Sequence, residues 1–255
     1  MVVYLKNRLK DKPFTVVQCV YLAFLLFSAI YWLVNFHLTS FLLSIGYMFF
    51  VPLVYLVEGL LKIRLGSLFT CLLYLIPIGS ILGSCFNFYM IIPFLDLVLH
   101  CLSGVVFACV GVTLAQVFFG DNKTSKNFFG CLLFGVFFSL AIAMLWEIFE
   151  YALTFLGFDM MEDSIINGFE SYLLSGTHSQ TTAIDGITKT VIHYGQGQVY
   201  TVNGYLDIGL VDTLGDMIIC SIGAVVFMLV AIISRYKVPI INQTLIPKYL
   251  GKEQK

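Results

Sequence analysis

From Phe14 to Val34 the chain runs without one charged side chain, and from Leu68 to Phe86 it does so again. A bilayer core about 30 Å thick asks for about 20 apolar residues per helix, because hydrocarbon offers exposed backbone N–H and C=O groups no partner. Runs of that kind recur, and they predict six spans, over about 14–34, 41–61, 68–86, 94–119, 128–156 and 208–234. Pro93 breaks the chain between the third and fourth and suits the first turn of the helix that follows. Of all residues 59% are hydrophobic and 11% charged, about half the charged share of soluble domains. The first run is too long for a signal-peptide core and no small-residue cleavage site follows it, so it reads as an uncleaved span. The fold class is all-α: a polytopic membrane helix bundle of about six transmembrane helices, with residues 1–255 as a single integral membrane domain.

Basic residues orient such a bundle. With the N-terminus inside, Lys6, Arg8, Lys10, Lys12, Lys62, Arg64, Lys123, Lys126, Arg235, Lys237, Lys248, Lys252 and Lys255 are all cytoplasmic, and of the 14 Lys and Arg residues only Lys189 lies outside. Both termini are then cytoplasmic, and residues 157–207 form one long extracytoplasmic loop able to cap what lies beneath it. That loop sets Asp159, Glu162, Asp163, Glu170 and Asp185 against Lys189. Within it, "MMEDSIINGFESYLL" predicts a short helix lying on the membrane surface, and "TKTVIHYGQGQVYTV" alternates around two glycines as a β-hairpin does. A net charge of −1 offers no basic surface to nucleic acid. The seven cysteines all sit in apolar runs with no C-x-x-C pair, the pattern of packing residues.

Three spans carry polar residues that lipid should exclude. They come in pairs: Asp96 and His100 in the fourth, Glu147 and Glu150 in the fifth, Asp212 and Asp216 in the sixth. Spacings of three and four put each pair on one helix face, as in metal sites built inside helix bundles. In the predicted topology all six fall in the outer half of the membrane at similar depth, so three helices can aim them at one point. An ionised acid at the bilayer centre costs about 2.5–3.5 kcal/mol, and clustering adds repulsion. The basic side chains lie at the other face, so compensation must come from His100, from protons, from water or from bound cations. An oxygen-rich set with one imidazole suits a divalent ion, Mg, Mn, Fe or Zn, singly or as a pair.

Blander readings stand beside this one. Asp96 near a helix start favours the positive end of the helix dipole, and Asp96–His100 is also a plain i,i+4 ion pair. Glu147 and Glu150 have no such excuse, since they lie near a helix C-terminal end where the dipole disfavours anions. Glu58, one turn before Lys62 at the cytoplasmic end, reads as a snorkelling surface pair. His37, His178 and His193 read as solvated loop residues, and Trp146 and Tyr151 as interfacial aromatics.

The stretches "DLVLHCLSG" (96–104), "WEIFEY" (146–151) and "VDTLGDM" (211–217) before Gly223-Ala224 resemble, in order and spacing, the YjdF-like family of bacterial inner-membrane proteins and, more distantly, VanZ-like proteins associated with glycopeptide resistance. The likeness covers about residues 94 to 225, and Tyr151 and Val211 stand where those proteins carry Trp. It implies a bacterial cytoplasmic-membrane location and a shared polar centre, without an activity.

Three functions fit these residues. In a metal-dependent membrane enzyme, the six side chains hold one or two ions that activate water against a lipid or lipid-linked envelope substrate, with no serine or cysteine nucleophile motif in sight. In a proton- or cation-coupled transporter, the carboxylates mark an ion path, although no inverted repeat and no polar inner half accompany them. In a scaffold or resistance accessory protein, the ion is a structural staple.

Overall fold

A computed structural model describes residues 8, 10–92, 94–119, 124–154, 156, 161, 163–171, 173–176, 180–207 and 209–250. Lys6, Pro93, Lys123, Asp159, Glu162, His178, Lys252 and Lys255 lie outside these residues. Among the described residues, six helices are long and apolar enough to cross a membrane: Lys12–Val34, Leu38–Leu61, Ser67–Cys85, Leu95–Phe119, Lys126–Leu153 and Leu210–Lys237. Their bounds follow the six predicted spans closely, and the chain is a polytopic helical membrane protein with small sheets. It divides into two compact units, one of Met1–Met144 with Met217–Lys255, the other of Leu145–Asp216.

Helix α1 is Lys12–Val34. The second span is two helices, α2 (Leu38–Met48) and α3 (Phe50–Leu61), because Pro52 has no N–H to offer the Met48 carbonyl and the ladder breaks between them. After β1 (Ile63–Arg64), α4 (Ser67–Ser80) carries Pro77 inside it and ends in a π turn, Ile81–Cys85. A short α5 (Phe88–Ile91) leads to α6 (Leu95–Phe119) and then α7 (Ser125–Thr154). Next come β2 (Ser164–Ile166), β3 (Phe169–Ser171), β4 (Thr182–Ile184), β5 (Thr190–Tyr194), β6 (Gln198–Val202) and β7 (Tyr205–Asp207). The chain closes with α8 (Leu210–Lys237), α9 (Pro239–Leu245) and β8 (Lys248–Tyr249).

In the larger unit α1 buries Phe14, Gln18, Tyr21, Leu25 and Ser28, one face at spacings of three and four. Lipid gives apolar side chains no preference for a neighbouring helix, so polar contacts and close packing do the joining. Gln18 accepts from the Tyr55 hydroxyl at 2.8 Å and donates to the Tyr74 oxygen at 3.2 Å. Tyr21 stacks on Tyr74 with ring centroids 4.2 Å apart and donates to the Tyr47 carbonyl at 2.7 Å. Ser28 and Ser44 meet at 2.9 Å. None of the seven cysteines is in a disulfide.

Glu58 departs from its predicted surface pairing with Lys62. It is buried at 1% exposure and takes Arg8 side-on, Oε1 to Nη2 at 2.8 Å and Oε2 to Nε at 3.1 Å. The Leu65 N–H adds a bond to Oε1 at 2.7 Å. Lys62 adopts the left-handed conformation (φ +52°) that ends α3, so it leaves the helix face on which an i,i+4 partner would stand. Arg8 also pairs with Asp11 at 2.8 Å and lies over the Phe14 ring. Next to this network, β1 and β8 pair antiparallel, and the Leu250 N–H reaches the Lys62 carbonyl at 2.8 Å.

The smaller unit holds three antiparallel strand pairs: β2 with β7, β3 with β4, and β5 with β6. The last is the predicted hairpin, with Gly195 and Gly197 at φ +56° and +80°, angles that only glycine adopts freely. The predicted surface helix over 160–174 is instead β2, β3 and one 3-10 turn at Leu173–Ser175 among the described residues. β-branched Ile165 and Ile166 before Asn167-Gly168 favour a strand and a turn over a helix, and the partners, β7 for β2 and β4 for β3, lie further along the chain.

Candidate metal centre

Three helices carry the six polar residues singled out above. Asp96 and His100 stand in the first two turns of α6, His100 Nε2 3.6 Å from Asp96 Oδ2, both half-buried. The backbone carbonyl of His100 accepts from Ser103 Oγ at 2.7 Å. This pair is the predicted i,i+4 arrangement.

On α7 one buried stripe runs through Leu132, Gly135, Ser139 and Ala143 to Glu147 and Glu150. The last two are 5% and 7% exposed, while Trp146, Ile148, Phe149 and Tyr151 between and beside them face outward. The helix therefore turns its two carboxylates inward and its aromatics toward lipid or its boundary, and the three-residue spacing is what permits this.

On α8 the buried stripe begins at Asp216, 2% exposed, and continues through Cys220, Gly223, Phe227, Ala231 and Ser234. Asp212, one turn earlier, is half-buried. The start of this helix is set by Asp207, whose Oδ2 accepts the Val211 N–H at 2.8 Å and satisfies a donor that the first turn cannot pair internally.

Small residues fix the three helices next to these positions. A Cβ on Gly104 would strike the Cys220 carbonyl, and one on Gly223 would strike the Cys101 carbonyl, so α6 and α8 cross with their backbones in contact. A Cβ on Gly135 of α7 would meet the Ala108 carbonyl of α6. Ser139 Oγ donates to the Gly104 carbonyl at 3.0 Å, and Cys220 Sγ lies 3.8 Å from Ser139 Oγ and 3.9 Å from Ser103 Oγ. Ser103, Ser139 and Cys220 were not picked out by sequence reasoning, since an isolated serine or cysteine in an apolar run carries no signal. Their place on the same stripes as the acids, three to eight positions away, is the clue that was available.

Two overlapping donor sets are able to hold a metal ion: Asp96, His100 and Asp216, and His100, Glu147 and Glu150. Within each set, one ligand atom per residue lies within 4.8 Å of the others. His100 belongs to both sets, and Asp212 to neither. A buried carboxylate/His group thus exists in helices whose other residues are overwhelmingly apolar.

No curated protein and no solved structure matches this chain. A family profile does, over residues 13–237, and the chain belongs to the family it describes, the predicted membrane proteins DUF2238.

Proposed function

We propose that this chain is an intramembrane, metal-dependent enzyme, with Asp96, His100, Glu147, Glu150, Asp212 and Asp216 around one or two divalent ions and a lipid or lipid-linked envelope molecule as substrate. The observation that carries the reading is that Glu147, Glu150 and Asp216 are at most 7% exposed inside membrane-spanning helices. An ionised acid at the bilayer centre costs about 2.5–3.5 kcal/mol on the lenient insertion scale, and acids gathered at one point add mutual repulsion. A cation removes most of that cost.

Two donors facing each other across an ion with bonds of 2.0–2.2 Å lie up to about 4.4 Å apart. Atoms grouped within 4.8 Å need only small side-chain rotations to close on one ion. The shared imidazole favours Zn or Fe over Mg, with Mn between them. A bound metal supplies Lewis acidity and a water ligand acidic enough to attack near neutral pH. The donors lie on three helices, and Asp212, which belongs to neither set, takes a proton as general base. The motifs that resemble the YjdF-like family support a bacterial cytoplasmic-membrane setting, and the distribution of basic residues puts the centre in the outer half of the bilayer, where outer-leaflet lipid has access.

Elemental mass spectrometry of detergent-purified protein tests this, beside a Glu147→Gln/Glu150→Gln variant. One or two equivalents of metal in wild type, lost in a variant with an unchanged elution profile, is the expected result. No metal in wild type after incubation with Mg, Mn, Fe and Zn overturns the reading and brings proton-sharing carboxylates, and with them transport, to the front.

A further inference from the structure

The larger unit contains a second feature that the metal centre does not use. A groove of about 150 Å³ opens between α3, α4 and α6, and every one of its walls is apolar. The one polar side chain there, Thr113, spends its hydroxyl on the Cys109 carbonyl at 2.8 Å. The volume is below the about 300–1,000 Å³ of sites that enclose whole small molecules, and suits a stretch of one hydrocarbon chain.

One end of the groove is closed by the two paired strands. Ile63, Leu65 and Pro247 line it, while the residues that alternate with them, Lys62, Arg64 and Lys248, are exposed. Arg64 and Lys248 are register partners across the β1–β8 pair, so two cations stand directly opposite one another, an arrangement that is destabilising by itself. Asp11 pairs with Arg64 at 3.0 Å and with Arg8, and among the described residues no carboxylate pairs with Lys62 or Lys248. The strands thus put apolar side chains on the groove and an uncompensated positive charge on their other side, at the end of the spans that the charge pattern assigns to the cytoplasm.

The geometry points to a binding site for an anionic phospholipid of the cytoplasmic leaflet, one acyl chain in this groove and its phosphate among Lys62, Arg64 and Lys248. Neither half of the feature needs the other for folding: an apolar wall is satisfied by any lipid, and cations at an interface by water. Their coincidence on the β1–β8 pair and the residues flanking it is what selects a ligand with both a tail and a negative head.

The test is native mass spectrometry of the purified full chain from mixed micelles holding equal phosphatidylglycerol and phosphatidylcholine. Wild type is expected to retain phosphatidylglycerol preferentially, with the preference falling as salt rises. Each lysine near an anionic headgroup is worth about a fivefold change in affinity, so Lys62→Gln/Lys248→Gln lowers the preference roughly thirtyfold. Val57→Phe, which fills the groove and leaves the cations in place, lowers retention of both lipids. Equal retention of the two lipids by wild type, or a salt-independent preference, overturns the proposal. So does a preference unchanged in both variants, which would mark an ordinary annular lipid.

Discussion

Replacing Arg8 with Met strands Glu58 in the interior. The two side chains are 1% and 0% exposed, and Glu58 loses both guanidinium bonds in the variant while keeping the Leu65 N–H. Breaking a buried pair by removing one partner costs about 3–5 kcal/mol, because the remaining charge keeps its desolvation penalty without its Coulomb gain. Glu58→Gln is the milder change, since Arg8 retains Asp11 at 2.8 Å and the amide still accepts a hydrogen bond. Arg8→Met/Glu58→Met removes both charges and should recover most of the loss, because apolar replacement of a whole buried pair is often neutral or better. The order of stability is therefore wild type near the double variant, then Glu58→Gln, then Arg8→Met, with the last lowered by on the order of 10 °C in midpoint. A thiol-reactive fluorophore reports unfolding in detergent through Cys109, 0% exposed, and Cys131, 7% exposed, in a background where exposed Cys19 and half-buried Cys71 and Cys101 are replaced by Ala. If the double variant melts with Arg8→Met, or if all three melt with wild type, the pair is not a buried ionic link and the reasoning fails.

Other consequences are read by the same melt and by proteolysis. Gly104→Val and Gly223→Val each drive a side chain into a carbonyl of the facing helix, and each should cost about 1–3 kcal/mol, the usual penalty of overpacking; Gly130→Ala, where a Cβ meets nothing within 4 Å, should be near neutral. Gln18→Leu removes two hydrogen bonds inside the larger unit, one to Tyr55 and one to Tyr74, and at about 0.6 kcal/mol per bond in a membrane protein should cost about 1 kcal/mol. Gly197→Val forces a β-branched residue to φ +80°, a local penalty of about 1–2 kcal/mol that shows as faster proteolysis of the β5–β6 hairpin with the helices' melting point unchanged.

What the residues disclosed in advance divides by range. Helices in lipid satisfy their backbones internally, so length and apolarity alone located the spans, and alternation on either side of Gly195 and Gly197 located the hairpin. The inward face of Glu147 and Glu150 was legible too, because a three-residue spacing is a local fact about one helix. Glu58 was misread for the converse reason. Its partner is fifty positions away, in a segment whose charges look like an ordinary basic start, and the nearer lysine is withdrawn by a backbone turn that no periodicity shows. The strands β2 and β3 failed likewise, each depending on a partner further along the chain to become a strand at all. The same logic bears on the candidate centre. Each pair of polar residues is local and was found, whereas the sharing of His100 by two donor sets draws on residues of three helices, which the spacing along any one helix does not disclose. On the proposed reading, a variant that widens the α6–α8 crossing at Gly104 or Gly223 is expected to lose metal even with all six polar residues intact, which elemental mass spectrometry would show.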